Sequence, residues 1–371
     1  GVGLYYLGSK SLTIGGNNSF GDVSGVIADG GGNGGTGGSI VKTGTGTYFF
    51  TGANTYTGAT TVSAGTLEIG NGTVGSLASV SAVKVAANAT LALDLPDGAT
   101  FANSVANAGH VVADETTSNN YTIAGIISGT GNLTKIKTNT VALTGANTYS
   151  GGTVVSGGIL TADNPVGSAT GTGTVTVNGG GTFGGSGKVT GAMTLNSGGT
   201  VAPGAAFSGT PGATLHGSSL IWNGGGTVTL QLGASASDTL ALTGALTKGS
   251  AGAYKLDLIN AGLVSTDTYN LTLLTFASTT FSLADFTIEL PVNYTGTLVE
   301  TKTSLMIENL VDPPPSVESP ALAAPGSTEN TLDTPATLTV TPTPEPGSAT
   351  LLAFGAGALI GWRRRKMQAG G

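Results

Sequence analysis

The chain contains no cysteine, so disulfides, thiol chemistry and cysteine-based zinc sites are all excluded. Charge is also scarce: 9% of the 371 residues are Asp, Glu, Lys or Arg, and all three arginines sit together as Arg363, Arg364 and Arg365. Without that cluster and Lys366 the balance is 9 − 20 = −11. A nucleic-acid partner is therefore not expected, because phosphate affinity rests on basic residues that the body scarcely has. Imidazole is limited to His110 and His216. Residues Gly1 to Lys10 show no charged segment followed by an apolar one, so no export leader is read there.

What is abundant is glycine, at 64 residues, with Thr and Val. Glycine opposes helix by about 1 kcal/mol per residue relative to Ala, whereas Thr and Val suit a pleated strand. Short alternating runs such as Val175-Thr176-Val177 and Thr227 to Leu232 argue against disorder.

The chain also repeats. Thr51-Gly52-Ala53-Asn54-Thr55-Tyr56 returns as Thr144-Gly145-Ala146-Asn147-Thr148-Tyr149, and Phe50 to Glu68 matches Leu143 to Thr161 at 12 of 19 positions. Upstream, Ile40 to Gly44 aligns with Leu133 to Lys137. Each unit reads as a strand, a Gly-Ala-Asn corner, a second strand and a glycine turn. The offset, 147 − 54 = 93 residues, divides into four coils of roughly 23, a solenoid length. The expected fold is all-β: a parallel β-helix over residues 1–235, a β-rich cap over 236–311, and a Pro-rich linker over 312–347. About ten rungs between residues 10 and 235 would make a rod on the order of 50 Å long. Expected cap strands are Ser237 to Leu242, Tyr254 to Ile259, Tyr269 to Phe276 and Ser304 to Glu308.

Within the repeat, Gly52, Asn54, Tyr56, Gly145, Asn147 and Tyr149 are read as structural. Asparagine at a corner tolerates left-handed backbone and bonds neighbouring amides. The tyrosines are expected to pack on an adjacent rung, with exposed stacking platforms for sugars as the alternative.

The stretch Leu143 to Gly158 resembles the autotransporter-associated β-strand repeat of bacterial surface-protein passengers, and Gly180 to Gly187 and Gly198 to Gly204 look like closing coils of such passengers. The resemblance implies a right-handed β-helix exposed outside the cell and carries no catalytic residues. No even-numbered set of amphipathic barrel strands follows, so secretion is expected by another route.

The tail is distinct. Residues 312–347 hold nine of the 14 prolines and end in Pro344-Glu345-Pro346. An apolar run from Ala349 to Trp362 follows, including Leu351, Leu352, Phe354, Leu359, Ile360 and Trp362, and then the basic stop Arg363-Arg364-Arg365-Lys366. As one short helix, 14 residues span about 21 Å against a hydrocarbon core of roughly 30 Å. The basic cluster should stay cytoplasmic. Motif, apolar run and basic cluster over residues 344–366 resemble the PEP-CTERM sorting signal. That resemblance implies transient anchoring in the inner membrane, cutting by an exosortase, and delivery to the surface or exopolysaccharide matrix. A simple terminal anchor is the alternative.

Catalytic patterns are thin. Inverting glycosidases need two carboxylates roughly 6.5 to 9.5 Å apart. The close pairs Asp94 with Asp97 and Asp114 with Glu115 read as solvated loop charges. Gly30 to Gly38 lacks the aspartates of calcium-binding nonapeptides and reads as a flexible loop, while Gly184 to Val189 departs from a phosphate loop at Thr182 and Val189. No metal, cofactor or catalytic residue is expected. The favoured reading is a non-enzymatic adhesive or structural surface protein touching exopolysaccharide or other glycans. Two alternatives are a carbohydrate-active β-helix enzyme, either lyase or hydrolase, and a stalk that spaces another domain.

Overall fold

A computed structural model describes residues 3–32, 34–113, 119–204, 210–312 and 337–340. The expected linker and sorting tail lie outside them, apart from Asp312 and a strand at Thr337–Val340.

Short strands of mostly three to six residues alternate with glycine corners, and all but the last few pair with the strand one coil later in parallel register. A parallel β-solenoid results. Its longest sheet has 12 strands, from Gly21–Val23 to Ser278–Thr279, which at about 4.8 Å per strand makes a rod roughly 50 Å long. A second sheet of six strands flanks the first half, from Ser11–Ile14 to Ile127–Ser128. A third, of nine strands, flanks the second half, from Thr100–Phe101 to Phe286–Glu289.

Alternation explains the core. In Leu133, Thr153, Val175, Met193, Leu220 and Leu246, consecutive coils place one buried side chain above another. Each fully buried aliphatic side chain contributes about 1.5 to 3 kcal/mol of hydrophobic stabilisation. Between them stand outward residues such as Thr134, Val154, Thr176 and Thr194.

Glycine is required at one corner because the coils approach too closely for a side chain. A Cβ on Gly131, Gly151, Gly173 or Gly191 would lie 1.8 to 2.3 Å from the carbonyl oxygen of the glycine one coil earlier. The glycine content thus reflects backbone stacked on backbone.

Parallel pairing continues beyond residue 235, where the cap was expected to begin. Thr227–Leu232 pairs with Tyr254–Asn260, and that strand with Phe286–Glu289. The change comes where Tyr269–Thr275 pairs antiparallel with Ser304–Val311, which in turn pairs antiparallel with Thr295–Glu300. Inside these last coils Trp222 packs on Tyr254, Phe281 and Phe286, with ring centroids 5.7 to 6.1 Å apart, and its Nε1 donates to the Gly226 carbonyl at 3.0 Å.

Candidate functional site: the repeated corner and a cationic cleft

The duplicated unit is built around a buried lysine that the sequence reading passed over. Lys42 and Lys135 are 93 positions apart and each is 0% exposed. Both fall on inward strand positions, two residues after Ile40 and Leu133. Lys42 Nζ donates to the carbonyls of Thr43 (2.7 Å), Gly44 (2.9 Å) and Ala64 (3.1 Å). Lys135 Nζ donates to Ile136 (2.6 Å), Lys137 (3.1 Å) and Gly157 (3.3 Å), the same three positions one repeat later. An ammonium has three protons, and each finds an acceptor. Burial lowers the Lys42 pKa from the ordinary lysine value. The left-handed turn that aims the second carbonyl inward is Gly44 at φ 66° in one copy and Lys137 at φ 65° in the other. The available signal was a lysine on the inward phase of both copies, in a chain with so little charge.

The expected corner residues are buried as well. Asn54 Oδ1 accepts from the Ile27 amide at 2.9 Å, and its Nδ2 donates to the carbonyls of Gly52 and Ser76. Asn147 Oδ1 accepts from Ile127 at 2.7 Å and its Nδ2 donates to Ala169 at 2.5 Å. Amide bonding was anticipated, but left-handed backbone was not needed: the positive-φ non-glycine residues among the described ones are Asn18, Lys137, Asn293 and Asn309. Gly52 and Gly145 sit where a Cβ would meet the Gly25 carbonyl at 2.2 Å and 2.8 Å from the Gly125 carbonyl, respectively.

Tyr56 and Tyr149 are 0% exposed, so neither is a sugar platform. Their hydroxyls meet Thr60 Oγ1 at 2.5 Å and Thr153 Oγ1 at 2.6 Å. Burial pushes the Tyr56 phenol up to about 12 and raises Tyr149 too. A folded-state pKa above the unfolded value of 10 gives stability that is complete below pH 10 and lost as pH rises through about 12. An alkaline titration followed by absorbance and circular dichroism tests this. Tyr56 and Tyr149 should give phenolate absorbance only as the β circular dichroism signal collapses, and their ionisation in the folded chain near pH 10 would contradict this burial.

The two copies do not share a face. Register carries Ile40 through Thr60, Val83 and Val105 to Ile127, four coils in 127 − 40 = 87 residues. The remaining 93 − 87 = 6 residues turn one corner, so Leu133, the equivalent of Ile40, lies in the 12-stranded sheet rather than the six-stranded one. Coils average nearer 22 residues than 23, and the repeat therefore advances by four coils and one face.

Other candidates also change character. Asp94 is 1% exposed at the end of a strand, not a solvated loop charge, whereas Asp97 accepts from the Asn120 amide at 2.9 Å on the surface. Asp114 and Glu115 lie outside the described residues. The glycine-rich loop is closed by Asp29, whose carboxylate accepts from the amides of Gly37, Gly38 and Thr57 and from the Thr57 hydroxyl. Those bonds hold its pKa below the usual aspartate value. Val189 is a core residue. His110 Nδ1 lies 2.7 Å from Asn132 Oδ1, one coil further on.

An open cleft of about 490 Å³ lies between coils, lined by Lys188, Val189, Thr190, His216, Gly217, Ser218 and Thr243. Lys188 and His216 are bridge partners on successive coils, and both are exposed. Among the described residues no group of three or more His, Cys, Asp or Glu residues is placed to hold a metal ion, and no helix is long and apolar enough to cross a membrane.

Fold and corner together define a repeat-built, all-β rod. Residues 40–69 and 133–162 match the passenger-associated-transport-repeat, and residues 342–366 match the PEP-CTERM protein-sorting motif. The chain is also 37% identical over 133 residues to the Adhesin BmaC autotransporter of Brucella suis biovar 1 (strain 1330), a stretch covering 33% of this chain and 4% of that protein. The chain thus carries autotransporter-type passenger repeats and an exosortase-dependent sorting signal, which mark it as an exported protein of the cell surface.

Proposed function

We propose that this protein is a non-enzymatic adhesive or structural component of the cell surface or exopolysaccharide matrix. The observation that carries the reading is where the repeat spends its chemistry. Lys42, Asn54, Tyr56 and their equivalents Lys135, Asn147 and Tyr149 are buried; the lysines and asparagines bond to neighbouring coils and each tyrosine to a threonine of its own coil, so the repeat builds a rod. The relative's name, an adhesin, supports the same reading. A rod on a Pro-rich tether presents Thr, Ser and Asn surfaces to glycans, and weak contacts repeated over many copies give avidity without a deep pocket.

In the tail, Pro344, Glu345 and Pro346 are the residues the exosortase recognises. Leu351, Leu352, Phe354, Leu359, Ile360 and Trp362 form the transient membrane segment, and Arg363, Arg364, Arg365 and Lys366 hold its far end in the cytoplasm. The test is intact mass and localisation of the mature protein in its host, comparing wild type with a variant carrying alanine at 344, 345 and 346. Wild type should lose the mass of the tail and reach the surface or matrix, while the variant stays whole in the inner membrane. An uncut chain in both strains would overturn the sorting role of these residues.

A further inference from the structure

The cleft at Lys188 and His216 has a use that the buried repeat does not. Two cationic or donor side chains are brought together here in a chain of net charge −7. Four of the other lysines are committed: Lys42 and Lys135 are caged, Lys248 pairs with Asp285 at 2.8 Å, and Lys255 pairs with Glu289 at 2.6 Å. Lys188 has no ion pair among the described residues. The backbone around the pair is locked. His216 N donates to the Gly187 carbonyl at 3.0 Å, Val189 N to the His216 carbonyl at 2.8 Å, and Lys188 N to Asn164 Oδ1 at 3.0 Å.

Two residues along, these two coils and the next one offer Thr190, Ser218 and Thr243. Their hydroxyl protons point back into the rod, to the carbonyls of Gly171 (2.8 Å), Gly191 (2.8 Å) and Gly217 (3.4 Å). Each hydroxyl oxygen therefore keeps lone pairs for an incoming donor. One side of the cleft donates, through a lysine ammonium and an imidazole N–H that exists in either protonation state, and the other side accepts. A sugar bearing an oxyanion beside free hydroxyls is complementary to both. An inorganic anion would leave the three acceptors unused.

We propose that this cleft binds an acidic polysaccharide, with the oxyanion on Lys188 and His216 and sugar hydroxyls on Thr190, Ser218 and Thr243. The inference rests on the surface-matrix reading above and names the ligand class of that surface. Being open and running across stacked coils, the cleft admits the middle of a polymer chain.

Affinity electrophoresis of the full chain in gels containing polygalacturonate, dextran sulfate or neutral dextran tests it. Wild type should be retarded by an acidic polymer and not by neutral dextran. Retardation by polygalacturonate identifies a carboxylate, and retardation by dextran sulfate alone a sulfate ester. The double variant Lys188→Gln/His216→Gln should bind at least about tenfold more weakly, while Lys302→Gln, which removes one exposed lysine elsewhere, should stay within about twofold. Both substituted positions in the double variant are exposed, and unchanged circular dichroism confirms folding. No retardation by either acidic polymer, equal retardation of the double variant, or an equal loss in Lys302→Gln would overturn the proposal. If the chain still reaches the matrix in its host, the matrix reading survives that failure.

Discussion

Lys135→Met should lower the unfolding stability by about 3 kcal/mol, because carbonyl acceptors that share one buried ammonium lose their donor, at about 1 to 3 kcal/mol for each group left unsatisfied. Met matches the stem in length and preserves its packing, so the loss isolates the ammonium. Three carbonyls, Ile136, Lys137 and Gly157, lose a shared donor carried by a side chain that is itself 0% exposed. Part of the native structure is held against local preference there, because Lys137 sits at φ 65°, a conformation costing about 1 to 2 kcal/mol for a non-glycine residue. Lys42→Met should cost a similar amount, its ammonium also lying 5.7 Å from the centre of the Tyr48 ring. Denaturant titration of each variant measures the effect. Because a solenoid's stability is a sum over neighbouring coils, hydrogen exchange should speed most in the coils around the substituted lysine. A loss below about 1 kcal/mol would show that the carbonyls find other partners.

Asn147→Ala should cost about 3 kcal/mol, since it strands the Ile127 amide and the Ala169 carbonyl on the coils below and above, at about 1 to 3 kcal/mol for each buried group left unpaired. Asn147→Asp should not rescue it. An aspartate keeps an acceptor for Ile127 but turns an oxygen toward the Ala169 carbonyl, and it places a charge at a site only 3% exposed. Asn54→Ala tests whether the two copies are equivalent: its side chain bridges Ile27, Gly52 and Ser76, and the loss should be at least as large. Equal stability of Asn147→Ala and wild type, by the same titration, would contradict a load on this amide.

The repeat was legible because twelve identities over one stretch reveal duplication whatever the fold. Strand positions were legible because a period of two marks one face of a sheet, and all four expected late strands lie close to their observed positions at Thr239–Leu242, Tyr254–Asn260, Tyr269–Thr275 and Ser304–Val311. The buried lysines were missed because inward position and positive charge are read as contradictory. That holds for an unpaired charge but not for an ammonium surrounded by turn carbonyls. Asp94 was misplaced for the related reason that a carboxylate next to a proline turn reads as solvated until the strand around it is seen.

By itself the sequence determined that this protein is all-β, duplicated, without thiol chemistry, nearly free of arginine and equipped with a sorting tail, because composition, identity and motif order do not depend on how the chain coils. Only the tertiary structure decided which face each copy occupies. Coils of 20, 23, 22 and 22 residues link Ile40 to Ile127, and their accumulated length, which no fixed period reveals, places the second copy one face further round. The cleft has the same origin: Lys188 and His216 stand 28 positions apart in the chain and become neighbours because one full coil separates the segments that pair.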